Sequence, residues 1–193
     1  MSVRILLASL LTCLSLGSAQ CAENEVAVTV SESGDGFIVK ATIKPPVSLR
    51  TAWDVLVDFD HMASILSNLT ASRVASRNGN VLIVKQEGVA RFGIFSYPFK
   101  AEREIRMEPP RRILARNLSG TLKRMESELQ LIPSGAGGVR IEYRAEIAFD
   151  SIIAGLFGVS FLSHEVDEQF QSIVAEMKRR EAQSASDPLQ SVR

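Results

Sequence analysis

The chain has 193 residues, enough for one domain with a sizeable core. Its 22 basic and 22 acidic residues cancel, which argues against a nucleic-acid partner, because neutralising phosphates takes a surplus of Lys and Arg. The local basic clusters, Lys100 to Arg106 and Arg111-Arg112, are diluted by Glu102, Glu104 and Glu108 and read as solvated strand faces.

The first residues predict a secretory signal. Arg4 supplies a positive start, and Ile5 to Leu16 is an apolar run too short to span a bilayer. Gly17-Ser18-Ala19 offers small residues for cleavage after Ala19, with Ala22 as a second candidate. The expected signal is therefore residues 1–19 and the expected location periplasmic or secreted. Cys13 would leave with the signal, and Cys21 stays only if cleavage falls at Ala19. The mature chain then holds at most one cysteine and no internal disulfide, so its core alone must hold it together. Gln20 is a poor residue ahead of a lipidated Cys21, where a small one belongs.

Residues 24–44 read as a hairpin. Val26, Val28 and Val30 alternate with polar neighbours, Ser33-Gly34-Asp35-Gly36 is a turn signal, and Phe37 to Ile43 resumes the alternation. Pro45-Pro46 stops it. Ser48 suits the N-cap of a helix from about Leu49 to Phe59, with Trp53, Leu56 and Val57 on its apolar side. Met62 to Leu66 can form a second short helix. From about Leu69 the period changes. Arg73 to Ser76, Val81 to Ala90, Ile94 to Met107, Ile113 to Leu118, Thr121 to Ile132 and Val139 to Phe149 favour strands, and Asn78-Gly79 marks a tight hairpin. With no crossover helix between them, the sheet should be antiparallel. A last helix follows, with Leu162, Val166, Phe170, Ile173 and Met177 on one stripe. Ala182 to Arg193 is small and polar and reads as a disordered tail.

The predicted order is two strands, one or two short helices, about five more strands and a long helix. That order, the segment Pro45-Pro46-Val47-Ser48-Leu49-Arg50-Thr51-Ala52-Trp53-Asp54-Val55-Leu56-Val57-Asp58-Phe59-Asp60-His61-Met62, and the Gly155-Leu156-Phe157 run before the final helix resemble the START-like superfamily over about residues 25–182. This superfamily (also called SRPBCC) includes polyketide cyclases, coenzyme Q-binding proteins and lipid-transfer domains. The resemblance implies an α+β helix-grip fold, a curved antiparallel sheet wrapped around a long C-terminal helix. It also implies a cavity for lipids, quinones or polyketides.

Alternation identifies the residues that would line such a cavity. Val139, Ile141, Tyr143, Ala145, Ile147 and Phe149 share one face, and Arg140, Glu142, Arg144 and Glu146 the other. Phe95, Tyr97, Phe99, Ala101, Ile105 and Met107 share a face with Arg103; Met125, Ser127, Leu129 and Leu131 share another. These stripes are either a solid core or a pocket wall. The ligand-binding candidates are Phe95, Tyr97, Phe99, Arg103, Met125, Tyr143, Phe149, Phe157, Leu162 and Val166. Met125 can adapt its shape and Tyr97 carries a polar handle. Arg103 has two readings. It can fork onto a ligand carbonyl or carboxylate. Alternatively its stem is buried with the guanidinium at the sheet edge or on a glutamate, the less costly arrangement, because an unpaired buried charge is unfavourable by several kcal/mol. The run 151–162 also has two readings, a buried lead-in to the helix or a mobile lid hinged at Gly155 and Gly158 that brings Leu156 and Phe157 to ligand or membrane.

Much chemistry is missing. His61 follows Asp58 and Asp60 at a helix end, and His164-Glu165 lacks the second histidine of a zinc motif, since position 168 is Glu. No nucleophile elbow, phosphate loop or dinucleotide fingerprint appears, so no metal, cofactor or catalytic residue is assigned. Asn68-Leu69-Thr70 and Asn117-Leu118-Ser119 fit the glycosylation sequon. The sequence thus supports an exported monomer that binds or carries a hydrophobic small molecule, touching membrane transiently through 151–162. The alternatives are a cyclase-like enzyme using Arg103, Tyr97 and Tyr143, whose weakness is that the inward faces offer no obvious carboxylate or His to take a proton, and a ligand-free interaction module with a solid core.

Overall fold

The computed structural model describes residues 25–92, 94–149 and 158–186. The leader, Cys13, Cys21, Phe157 with most of the 151–162 run, and residues 187–193 lie outside the described residues.

The chain forms an α+β helix-grip fold. Strands β1 (Val26–Ser33), β2 (Gly36–Ile43), β3 (Leu69–Asn78), β4 (Val81–Phe92), β5 (Phe95–Glu108), β6 (Arg112–Gly120), β7 (Arg124–Pro133) and β8 (Val139–Ala148) make one antiparallel sheet in the order β1-β2-β8-β7-β6-β5-β4-β3. Between β2 and β3 lie helices α1 (Leu49–Leu56) and α2 (Met62–Ile65), joined by a 3-10 turn, Phe59–His61. The long helix α3 (Val159–Ser186) packs across the concave face of the curved, unclosed sheet. Six strands follow α2 rather than about five, because residues 69–78 make a full edge strand.

Local chemistry sets the hairpins. Gly34 and Gly79 take φ of 59° and 56°, the left-handed conformation their tight turns require. On β8, Val139, Ile141, Ala145 and Ile147 are buried while Arg140, Glu142, Arg144 and Glu146 face solvent, as the alternation predicts. Ala52, Val55 and Leu56 of α1 pack with Val26, Ile43, Leu131, Ile141 and Met177 in the main core, at the C-terminal end of α3.

Several boundaries differ from the sequence reading for identifiable reasons. Helix α1 ends at Leu56 rather than near Phe59, because Asp58 is drawn aside: its carboxylate binds His61 Nδ1 at 2.7 Å and Arg180 at 2.7 Å. Strand β7 begins at Arg124, not Thr121. Residues Thr121 and Leu122 are held by Lys100 and by the Asn117 amide, which donates to the Leu122 carbonyl at 3.2 Å. Helix α3 starts at Val159, so the last part of the 151–162 run is its first turn, with Phe161 and Leu162 buried. It continues to Ser186, past the predicted start of the tail, where the hydroxyls of Ser184 and Ser186 donate back to the carbonyls of Arg180 and Ala182.

The far end of α3 is tied down by charge. Arg180 bridges Asp58 and Glu176 at 2.7 and 2.6 Å, and Lys178 binds Glu25 on the lead-in to β1. Glu181 accepts from the Ser48 backbone N–H at 3.0 Å and from the hydroxyls of Ser48 and Thr51.

Candidate functional site

The other end of α3 lies over space. Between it and the sheet are two lobes that share part of their wall. The inner lobe, about 200 Å³, extends towards α1 and α2 and is bounded by Leu56, Phe59, Met62, Gln86, Leu129 and Ile173. The outer lobe, about 190 Å³, extends towards Ala90, Thr121, Ile147 and Phe161. Phe99, Arg103, Met125, Tyr143 and Val166 line both, as do Asn68 and Gln169. The core is therefore hollow here, and the solid core assumed for an interaction module is not what the chain builds.

The ten candidates fall into place as follows. Five stand on the shared wall: Phe99, Arg103, Met125, Tyr143 and Val166. Tyr97, Phe149 and Leu162 line the outer lobe. Phe95 belongs to β5, but its side chain lies outside the described residues, as does all of Phe157.

Arg103 corrects the expectation that its guanidinium would reach the sheet edge or a glutamate. It lines both lobes of the cavity and is partly buried. Its Nε is buried with no hydrogen-bond partner. Among the described residues no carboxylate forms an ion pair with it, whereas the outward arginines Arg112, Arg116 and Arg144 are each held by a glutamate. Burial lowers the Arg103 pKa, against a smaller effect of Tyr143. The strand register is shifted between Glu102 and Arg103, a local irregularity of the kind that re-aims side chains. Asn117 pairs with Arg103 across β5 and β6, but it turns to Leu122 and lines neither lobe.

Tyr143 stands nearby. Its ring meets Phe170 of α3 edge-on, centroids 5.2 Å apart. Burial pushes its hydroxyl above the ordinary tyrosine value, opposed by Arg103 and by a hydrogen bond with Ser127. The hydroxyl therefore stays protonated at neutral pH.

Polar groups that the sequence reading did not select complete the wall. Glu165 is buried on the outer lobe and accepts from Asn68 Nδ2 at 3.2 Å. Burial raises its pKa, with the Asn68 amide and the Arg91 backbone N–H acting in opposition. The inward faces thus do present a carboxylate, from the helix rather than from a strand. Its position three residues after Leu162 and one before Val166 was the available signal: Glu165 and Gln169 fall on the cavity stripe. Asn68 Oδ1 is buried without a partner. Gln86, also buried, donates to Ser72 Oγ at 3.2 Å. Both sequon asparagines, Asn68 and Asn117, are engaged inside the fold. His61 and His164 line neither lobe; they sit beside Asp58 and Glu168.

The family described as polyketide cyclase/dehydrase and lipid transport matches residues 37–180. The chain belongs to this family. The match spans every element lining the cavity. Solved structures of the START-like superfamily share this fold at low identity. The Zhui aromatase/cyclase from a Streptomyces species matches with a TM-score of 0.63 at 15% identity, covering 74% of this chain and 94% of its own. A STAR-related lipid transfer protein from Xanthomonas axonopodis matches with 0.64 at 11%, covering 81% and 95%. A START superfamily protein from Mycobacterium smegmatis matches with 0.59 at 10%, covering 76% and 97%. At such identities the likeness shows the fold alone. No curated protein matches the chain in sequence.

Proposed function

We propose that this protein binds and carries a hydrophobic small molecule in the cavity between the sheet and α3. The observation that carries the reading is the hollow itself. A chain that packs Met177, Ile141 and Val55 tightly at one end leaves two adjoining, largely apolar lobes at the other. Small-molecule sites have this character: mostly apolar walls with a few placed polar groups. The lipid-transfer and aromatase/cyclase relatives are consistent with a lipid, quinone or polyketide-like occupant.

The test is native mass spectrometry of the mature protein from an exporting host, with organic extraction. A defined bound mass of lipid or quinone size is the expected result. An apo mass that stays clean after incubation with mixed lipids and quinones overturns the reading. Export and action as a monomer in the periplasm or outside the cell belong to the same proposal, supported by the pattern Arg4, Ile5 to Leu16 and Gly17-Ser18-Ala19. N-terminal sequencing of the recovered protein checks it, with Gln20 or Glu23 expected first. Loading from a membrane through 151–162 is tested by Phe157→Asp: uptake from vesicles that is unchanged while stability falls removes that element.

A second reading, cyclase-like catalysis, is favoured by one specific observation. Glu165 supplies a buried carboxyl at the same cavity as Arg103 and Tyr143, so a carboxyl, a guanidinium and a phenol line one cavity. Turnover of a polyketone that Arg103→Ala or Glu165→Gln abolishes while binding persists would establish it.

A further inference from the structure

Arg103 bears on what the occupant must bring. Its neighbours on the inward face of β5 are Ala101, Ile105 and Met107, all buried and apolar, so packing alone does not call for a charge there. An enclosed guanidinium without a counter-ion is unfavourable by several kcal/mol. Its titratable neighbour Tyr143 remains neutral, and Glu165 is engaged with Asn68 and the Arg91 backbone. No internal charge therefore answers Arg103 among the described residues.

A second unmatched group faces the same junction. Asn68 Nδ2 donates one hydrogen bond to Glu165 at 3.2 Å, which leaves Oδ1 as a buried acceptor with no donor among the described residues. The wall where the lobes meet thus holds one unanswered cationic donor and one unanswered neutral acceptor. A single guanidinium balances a single negative charge. A phosphate monoester, with about −1.5 to −2 at neutral pH, would bury excess charge there, whereas a carboxylate matches it and fits the guanidinium fork.

Resting on the carrier reading above, we infer that the ligand is a hydrophobic hydroxy acid, with its carboxylate on Arg103 where the two lobes meet, a hydroxyl given to Asn68, and its apolar parts in the lobes. The charged group sits mid-cavity between apolar walls.

The experiment is displacement of a bound fluorescent hydrophobic dye from the full mature protein, using myristate, methyl myristate, myristyl alcohol and positional hydroxymyristates. Myristate should bind at least about tenfold more tightly than its ester or alcohol, the scale of one charge-assisted hydrogen bond. Arg103→Met should bring the acid down to the level of the ester. Arg103→Gln, with a thermal melt of each variant, guards against a folding defect. One hydroxymyristate should exceed myristate, and Asn68→Leu should remove that advantage. Equal affinity for acid and ester, or acid binding that survives Arg103→Met, overturns the inference while the carrier reading stands. Identical affinity for every hydroxylated and plain acid overturns the role of Asn68. If neither the dye nor any of the four compound types binds, the carrier reading itself fails.

Discussion

Glu181, near the end of α3, accepts a hydrogen bond from the backbone N–H of Ser48, which lies 133 positions earlier. Ser48 is the N-cap of α1, and its hydroxyl accepts from the Thr51 N–H at 3.2 Å. In a capping box the third helical residue is a Glu or Gln that reaches back to the cap. Here that residue is Thr51, and the carboxylate arrives from another helix. Glu181→Ala should therefore destabilise the fold by about 1–2 kcal/mol, the range for a lost cap, and lower the melting temperature by about 2–4 °C for each kcal/mol. A thermal melt unchanged from wild type would show that the long-range cap contributes nothing.

The same end of α3 sets an acid dependence. Hydrogen bonds from Arg179, with further help from Arg180, hold the Glu176 pKa at about 2, against burial. The ionised form is thus favoured in the folded state. Its stabilisation is complete above the ordinary value of 4.5 and is lost as pH falls through about 2. Urea unfolding of wild type and Glu176→Gln should differ at neutral pH and converge at the acid end of that window. A gap that persists there would contradict the assignment.

Glu165 carries the opposite sign. Burial raises its pKa, so the folded state favours the neutral form, and stability falls as pH rises from the ordinary 4.5 through the raised value. Glu165→Gln should be more stable than wild type at neutral pH and gain nothing below the ordinary carboxylate range. The check is the pH profile of the difference between the two proteins. A constant difference would indicate lost packing instead.

Removing the buried charge should help the empty protein. Arg103→Met keeps most of the volume and takes away an unanswered guanidinium. The apo form should gain on the order of 1 kcal/mol, the low end of what is found when buried charges give way to apolar residues. Chemical denaturation of ligand-free protein measures this, and a large loss would mean that Arg103 has a structural partner.

Gly88, on β4, is tested by addition. A Cβ there would collide with the Asn68 carbonyl oxygen and come within 2.7 Å of the Phe99 ring. Both residues line the junction of the lobes. Gly88→Ala should destabilise by about 1–3 kcal/mol through overpacking and weaken ligand binding as well. Wild-type stability and affinity together would show that the ring moves aside freely.

The architecture was readable wherever side chains alternate in polarity. The β8 stripe from Val139 to Ile147 and the turn glycines Gly34 and Gly79 follow from pattern and backbone sterics alone. The cavity wall was readable in part for the same reason: Tyr97, Phe99, Met125 and Tyr143 occupy inward strand positions. The burial of Arg103 was not, since an arginine on an apolar face is ordinarily answered by a carboxylate, and only the folded chain shows that no carboxylate among the described residues pairs with it. Glu165 was missed because its immediate neighbour His164 drew it into a metal motif, whereas its helical spacing from Leu162 and Val166 put it on the cavity side. Asn68 lies in a linker with no period to read. The end of α1 was displaced by Asp58, whose partner Arg180 lies far along the chain.

The register of β2 against β8, from Gly36 opposite Ala148 to Ile43 opposite Ile141, joins the two ends of the sequence. Every other neighbour pair in the sheet is a hairpin or near-hairpin that can form early. Closing this one seam requires nearly the whole chain to be in place, so it should be the slow, entropically costly step of folding. The cavity has no complete wall until that seam closes and α3 lies down. A ligand that recognises the finished wall therefore has little to hold in the transition state. It should leave the refolding rate unchanged and slow unfolding, so its protection would be kinetic persistence rather than faster assembly.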